Sequence, residues 1–117
     1  DGKLPASSGD ESIPRLSFWD HRGTKEWVEM EFAPARSVHQ VRIYWFDDSG
    51  RGSCRVPASA RVLVRTGAAW REIAPALGVA KDAWSTVDFS PVTTEAVRVE
   101  AQLQPGFSAG VLEWQVE

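Results

Sequence analysis

The sequence is poor in the residues that usually announce chemistry: 117 residues carry one cysteine, one tyrosine, one methionine and two histidines. A lone Cys54 excludes a disulfide within the chain and leaves the redox compartment open. Together with the separated His21 and His39 it gives no zinc-ligand spacing. No apolar run approaches the roughly 18 to 20 residues of a bilayer-spanning helix, and no basic, apolar and small-residue leader opens the chain. A membrane is therefore not an expected partner. The net charge of -3 supplies no broad basic field for a phosphate backbone, so nucleic acid is not expected either. There is no G-x-S-x-G elbow, no internal repeat and no low-complexity tract. The length suits one domain with one core, over residues 1–117.

What the sequence does have is aromatics, six tryptophans and five phenylalanines, set in short alternating runs. Residues 1–16, DGKLPASSGDESIPRL, show no periodicity and read as an irregular N-terminal segment. EWVEMEF (26–32) alternates Val28, Met30 and Phe32 against Glu29 and Glu31, and Pro34 is expected to end that strand. In SVHQVRIYWF (37–46), Val41, Ile43 and Trp45 are expected to face the core, with Arg42, Tyr44 and Phe46 opposite. ARVLVRTGAAWREI (60–73) reads as a hairpin turning near Thr66-Gly67, with Ala60, Val62, Val64 and then Trp70 inward. PALGVAKDAW (75–84) has room for one short helical turn. TVDFSPV (86–92), TEAVRVEAQL (94–103) and VLEWQVE (111–117) return to strand alternation, the last with Leu112, Trp114 and Val116 on one face. About seven short strands with almost no helix predict an antiparallel β-sandwich or related barrel, whose end loops are the usual place for function. The chain starts at Asp1 and stops on the polar tail of a strand at Glu117, so it reads as a piece of a longer protein.

The loop that leaves the second of these alternating runs, YWFDDSGRGSCRVP (44–57), concentrates polar groups. Asp47 and Asp48 could serve as an acid–base pair, but neighbours in an extended chain point opposite ways, and turn-forming aspartates are the plainer reading. Cys54 reads as a space-filler more readily than as a reactive thiol. A hard cation could use Asp1, Asp10, Glu11 or Glu113. Sugar recognition suits the inventory better, because a sugar presents a C–H face to an aromatic ring and hydroxyls to planar polar groups. Trp19, His21, Trp45, Asp47, Asp48, Arg51, Arg55 and Phe107 offer both. The competing reading is that Trp19 packs under its own loop while Arg51 and Arg55 pair with Asp47 and Asp48 to hold the turn.

Three blocks, DESIPRLSFWDHRGTKEWVEMEF (10–32), YWFDDSGRGSCRVP (44–57) and LQPGFSAGVLEWQV (103–116), resemble the discoidin-like, galactose-binding-fold module attached to bacterial six-hairpin glycoside hydrolases, including the β-L-arabinofuranosidase group. The resemblance implies an all-β, eight-stranded antiparallel jelly-roll β-sandwich related to coagulation-factor type C and family 32 carbohydrate-binding modules. The first strand of that fold normally precedes the Asp1-Gly2 turn, so the expectation is that either the sequence is truncated there or that strand is not represented. By the resemblance, the chain is a non-catalytic carbohydrate-binding module of a secreted or periplasmic enzyme, with a glycan and the catalytic domain of the same polypeptide as partners. The alternative it leaves is a structural docking module packing on that catalytic domain. The expected ligand-binding residues, taken from the loop inventory above, are Trp19, His21, Asp47, Asp48, Arg51, Arg55 and Phe107. One structural calcium ion is implied at Asp1 and Glu113, with Lys3 and Ser8 adding oxygens.

Overall fold

A computed structural model describes residues 4–117. Among them are six strands, β1 (Leu16–Ser17), β2 (Lys25–Phe46), β3 (Ser59–Thr66), β4 (Ala69–Leu77), β5 (Ser85–Gln102) and β6 (Gly110–Val116), hydrogen-bonded in the order β1-β6-β2-β5-β3-β4. Every named pair is antiparallel.

β2 and β5 are long enough to serve both layers of a sandwich. The first half of β2 (25–31) pairs with the last part of β5 (96–102), and β3 and then β4 continue that layer. The second half of β2 joins the first part of β5 on one side and β6 on the other, with β1 at the edge; this β1–β6 side is the first layer, and the β3–β4 side is the second. The six strands thus act as eight segments in two layers, an all-β antiparallel jelly-roll sandwich.

Pro34 was expected to end the first strand. Instead β2 runs on through a register shift between Glu31 and Arg36. Proline lacks an N–H for the ladder, so it is tolerated where the pairing is already interrupted. The matching bend in β5 is pinned by Thr94, buried at 1% exposure. Its hydroxyl donates to the Arg65 carbonyl at 2.7 Å and accepts from the Arg65 N–H at 3.1 Å.

Between the layers lies the main core, which includes Val28, Val41, Ile43 and Trp45 from β2, Val62 and Val64 from β3, Val97 and Val99 from β5, and Val111 from β6. The alternation read from the sequence places most of these correctly. It fails on two faces. Trp70 points outward, because its cross-strand partner is the outward Arg65, and cross-strand partners share a face. β6 contains an extra residue where its pairing to β2 shifts between Tyr44 and Trp45, so Val111 enters the main core and Leu112 does not. The stretch from Gly78 to Trp84 forms no helical turn; it is the irregular connection between β4 and β5.

Leu112 belongs to a second cluster with Ile13, Tyr44, Phe46 and Cys54, on the outward side of the first layer. There the irregular N-terminal segment lies over the sheet. Ser8 exchanges hydrogen bonds with Asp82, its N–H to Oδ1 at 2.7 Å and its Oγ accepting from the Asp82 N–H at 2.7 Å. Trp84 packs against the same cluster, its ring 5.4 Å edge-on from Tyr44. Gly110 lets β1 come close: a Cβ there would sit 2.8 Å from the Leu16 carbonyl.

Candidate functional site

The three sequence blocks meet at one end of the sandwich. Phe18 N–H donates to the Ala109 carbonyl at 3.0 Å and Gly23 N–H to the Phe107 carbonyl at 3.1 Å, tying loop 18–24 to loop 103–109. That loop is tied in turn to 47–57. Ser108 N–H donates to Ser53 O and Arg55 N–H to Ser108 O, each at 2.9 Å, and the Gln104 side-chain amide donates to Val56 O at 2.8 Å.

In this assembly a groove of about 510 Å³ opens, with Arg15, Ser17 and Trp19 on one side and Asp48 with Gly52, Ser53 and Cys54 on the other. Arg15 and Ser17 alternate along the extended chain at β1 and so share one side, and Trp19 follows in the turn closed by His21 N–H donating to the Phe18 carbonyl at 2.8 Å. Trp19 is 53% exposed, and the Arg22 guanidinium lies 4.7 Å from its ring centre. Arg15 lies 4.3 Å from the Phe46 ring centre, so the groove floor adjoins the second cluster. Asp48 Oδ1 accepts from the Cys54 N–H at 2.8 Å and lies 3.7 Å from Arg55 Nη1. Its other oxygen lies against Gly52, where a Cβ would come within 2.2 Å of Oδ2. A larger residue at 52 would displace the carboxylate from the groove wall.

Of the seven predicted ligand residues, Trp19 and Asp48 line the groove. The rest serve the scaffold or stand apart. Asp47 is buried, and its carboxylate accepts from the Ser49 N–H at 2.9 Å, the Ser49 hydroxyl and the Val56 N–H at 3.1 Å. Burial pushes its pKa up, but these donors and nearby Lys81 outweigh it and hold the carboxyl below the ordinary carboxylate value. Arg51 reaches back to the Gly9 carbonyl at 2.7 Å and to Glu11 at 3.7 Å, joining the loop to the N-terminal segment. Arg55 donates to the Gly52 and Cys54 carbonyls, both at 2.9 Å, and stacks 4.5 Å from the centre of Phe107, which is half-buried. His21 is exposed, with Nδ1 3.1 Å from Glu26 Oε2. Trp45 is a core residue whose indole N–H donates to the Gly78 carbonyl at 3.0 Å. Cys54 is buried and free, and burial raises its thiol's pKa, which leaves little thiolate for reaction.

Sequence reasoning missed Arg15, Ser17 and Ser53 as groove residues. No local signal marks them, because their place depends on where β1 lies beside loop 47–57. Among the residues expected to hold calcium, Asp1 and Lys3 lie outside the described residues. Ser8 is buried and its two oxygens accept from the backbone N–H groups of Asp82 and Asp47. Glu113 is buried on β6, with Oε1 accepting from the Trp114 N–H at 3.1 Å. Among the described residues no group of three or more His, Cys, Asp or Glu could hold a metal ion.

The architecture defines the class of fold: a discoidin-like β-sandwich of the kind found in carbohydrate-binding modules. No family model and no curated protein matches the sequence. Solved structures match its shape. Chitosan-binding module 1 of the chitosanase/glucanase from Paenibacillus sp. IK-5 aligns over 100% of this chain and 87% of its own, with TM-score 0.69 and 15% identity. CpGH89CBM32-5 from Clostridium perfringens, solved with GalNAc-β-1,3-galactose, aligns over 99% of this chain and 78% of its own, with TM-score 0.67 and 16% identity. The Streptococcus pneumoniae β-galactosidase BgaA aligns over 87% of this chain and 76% of the solved chain, with TM-score 0.70 and 14% identity. At such identities the likeness is one of fold.

Proposed function

We propose that this chain is a non-catalytic carbohydrate-binding module that takes a neutral sugar into the groove between Trp19 and Asp48. The carrying observation is a half-exposed indole lining a groove of about 510 Å³ whose other wall is polar. An indole offers its face to sugar C–H groups, while Arg15, Ser17, Ser53 and Asp48 offer donors and acceptors to hydroxyls. Arg55 beside Asp48 offsets its charge, which favours an uncharged sugar over a cationic one. The chitosan-binding and GalNAc-β-1,3-galactose-bound modules of the same fold support a glycan as ligand. The parent protein is, on this reading, a secreted or periplasmic glycoside hydrolase, with the β-L-arabinofuranosidase group suggested by the sequence resemblance. A dissociation constant near 1 mM, about -4 kcal/mol, suffices, since tethering raises the effective concentration at the polysaccharide.

The test is calorimetric titration of the domain against galactose-, N-acetylgalactosamine- and arabinose-containing oligosaccharides. Binding by at least one of them, weakened about tenfold or more in Trp19→Ala, is expected. Equal binding by wild type and Trp19→Ala would remove Trp19 from the site, and no binding across the panel would overturn the proposal.

A further inference from the structure

The outward face of the second layer holds another groove, of about 280 Å³, built on strand residues and sharing none of the loop groove's lining. Its walls include Lys25, Arg61, Glu100, Gln102, Ser59 and Pro75. Lys25 and Trp27 succeed each other on the outward side of β2, opposite Gln102 and Glu100 of β5, so an indole stands next to the groove. Trp27 is 51% exposed. A large apolar ring left open on a strand invites an explanation that an exposed loop residue does not.

The ring is also held in place. Arg98 lies 4.9 Å from its centre and 4.2 Å from that of Trp70, so one guanidinium sits between two indoles. Glu29 fixes that guanidinium with Oε1, which accepts from Nε at 3.0 Å and Nη2 at 2.7 Å. A fixed ring loses little freedom when a ligand stacks on it. Within the groove, Glu100 Oε1 accepts from Arg61 Nε at 2.9 Å and lies 2.8 Å from Nη2, and Arg61 Nη1 reaches Glu72 at 3.3 Å. Lys25 Nζ is 3.9 Å from the same Glu100 oxygen. The cations Lys25, Arg61 and Arg98 are thus matched by Glu29, Glu72 and Glu100. A charge-balanced polar groove beside a fixed indole suits an uncharged polyhydroxylated chain, and favours neither an anionic glycan nor a charged peptide segment.

We propose that this face is a second contact for neutral polysaccharide, with Trp27 as the stacking ring and the Arg61–Glu100 pair facing hydroxyls. It shares the ligand class proposed for the loop groove and none of its residues. The test is a two-dimensional NMR titration of the whole chain with neutral oligosaccharides, following the indole N–H signals of Trp19, Trp27 and Trp70, paired with retention of variants on insoluble neutral polysaccharide. Saturable shifts at Trp27 are expected, together with about 3- to 10-fold weaker retention of Trp27→Ala, deepened in the Trp19→Ala/Trp27→Ala double variant. Shifts at Trp19 with none at Trp27 would overturn this second contact and leave the loop groove standing. Shifts at Trp27 alone would support it and remove the loop groove. No shift at either ring would overturn both. The wild-type titration decides among these even if Trp27→Ala folds poorly.

Discussion

On the outward side of the first layer, Tyr44, Phe46 and Leu112 are only 4%, 1% and 5% exposed, because the N-terminal segment and the loop after β2 lie over them. On the outward side of the second layer no segment among the described residues returns over Trp27, which stays 51% exposed and is steadied by Arg98 instead. The same alternation of strand residues therefore produces a second core on one face and an open aromatic platform on the other. What differs is not the strands but whether irregular chain returns across them. Covering a face hides apolar area and leaves the proposed recognition groove at the edge of the cover, at Trp19 and Asp48. Leaving a face open requires that its apolar rings be held by charged neighbours, which also keeps the face wettable.

Substitutions can break this contrast, and the largest effect should come from the covered side. Phe46→Ala empties the centre of the second cluster, and a loss of about 3–5 kcal/mol is expected in urea unfolding. Gly110→Ala should cost about 2–3 kcal/mol, since the new methyl would press on the Leu16 carbonyl and on Phe46 and lift β1 from β6. Trp19 would move with β1, so sugar affinity in the loop groove should fall in the same variant.

Asp47 tests the clamp that holds the loop over the sheet. Asp47→Asn should cost about 1–2 kcal/mol near neutral pH, measured as the shift in urea midpoint. Because the folded carboxyl is held below its ordinary value, its contribution is complete above that value and is lost as the pH falls through the lowered one. The gap between wild type and Asp47→Asn should accordingly narrow in acid; a gap independent of pH would show that ionised Asp47 does not hold the loop. The smallest effect belongs to the open side: Trp27→Ala should change stability by about 0.5 kcal/mol, little more than one exposed cation–π contact. A loss as large as that of Phe46→Ala would mean the two faces are not different in kind.

Much of this could be read in the residues. Val41, Ile43 and Trp45 against Tyr44 and Phe46, and Val97 and Val99 against Arg98 and Glu100, show their faces by alternation alone. The loop cluster was legible in kind, and two of its predicted ligand residues do line a groove. Asp47, Arg51 and Arg55 were ambiguous in the sequence because the residue types that bind hydroxyls are the ones that bind backbone N–H and C=O groups in a tight loop. Arg15, Ser17 and Ser53 carried no such signal, since their role depends on where β1 lies beside loop 47–57.

By itself the sequence determined the strand periods, the antiparallel all-β class and the inward set that forms the main core, because these follow from local alternation and the exclusion of water from apolar side chains. Only the tertiary structure decided that β2 and β5 bend through both layers, that Leu112 changes sides at a bulge and that Trp70 faces out. It alone decided which outward face is covered. Those outcomes depend on register and on chain segments distant in sequence coming together, and neither leaves a periodic trace in the residues themselves.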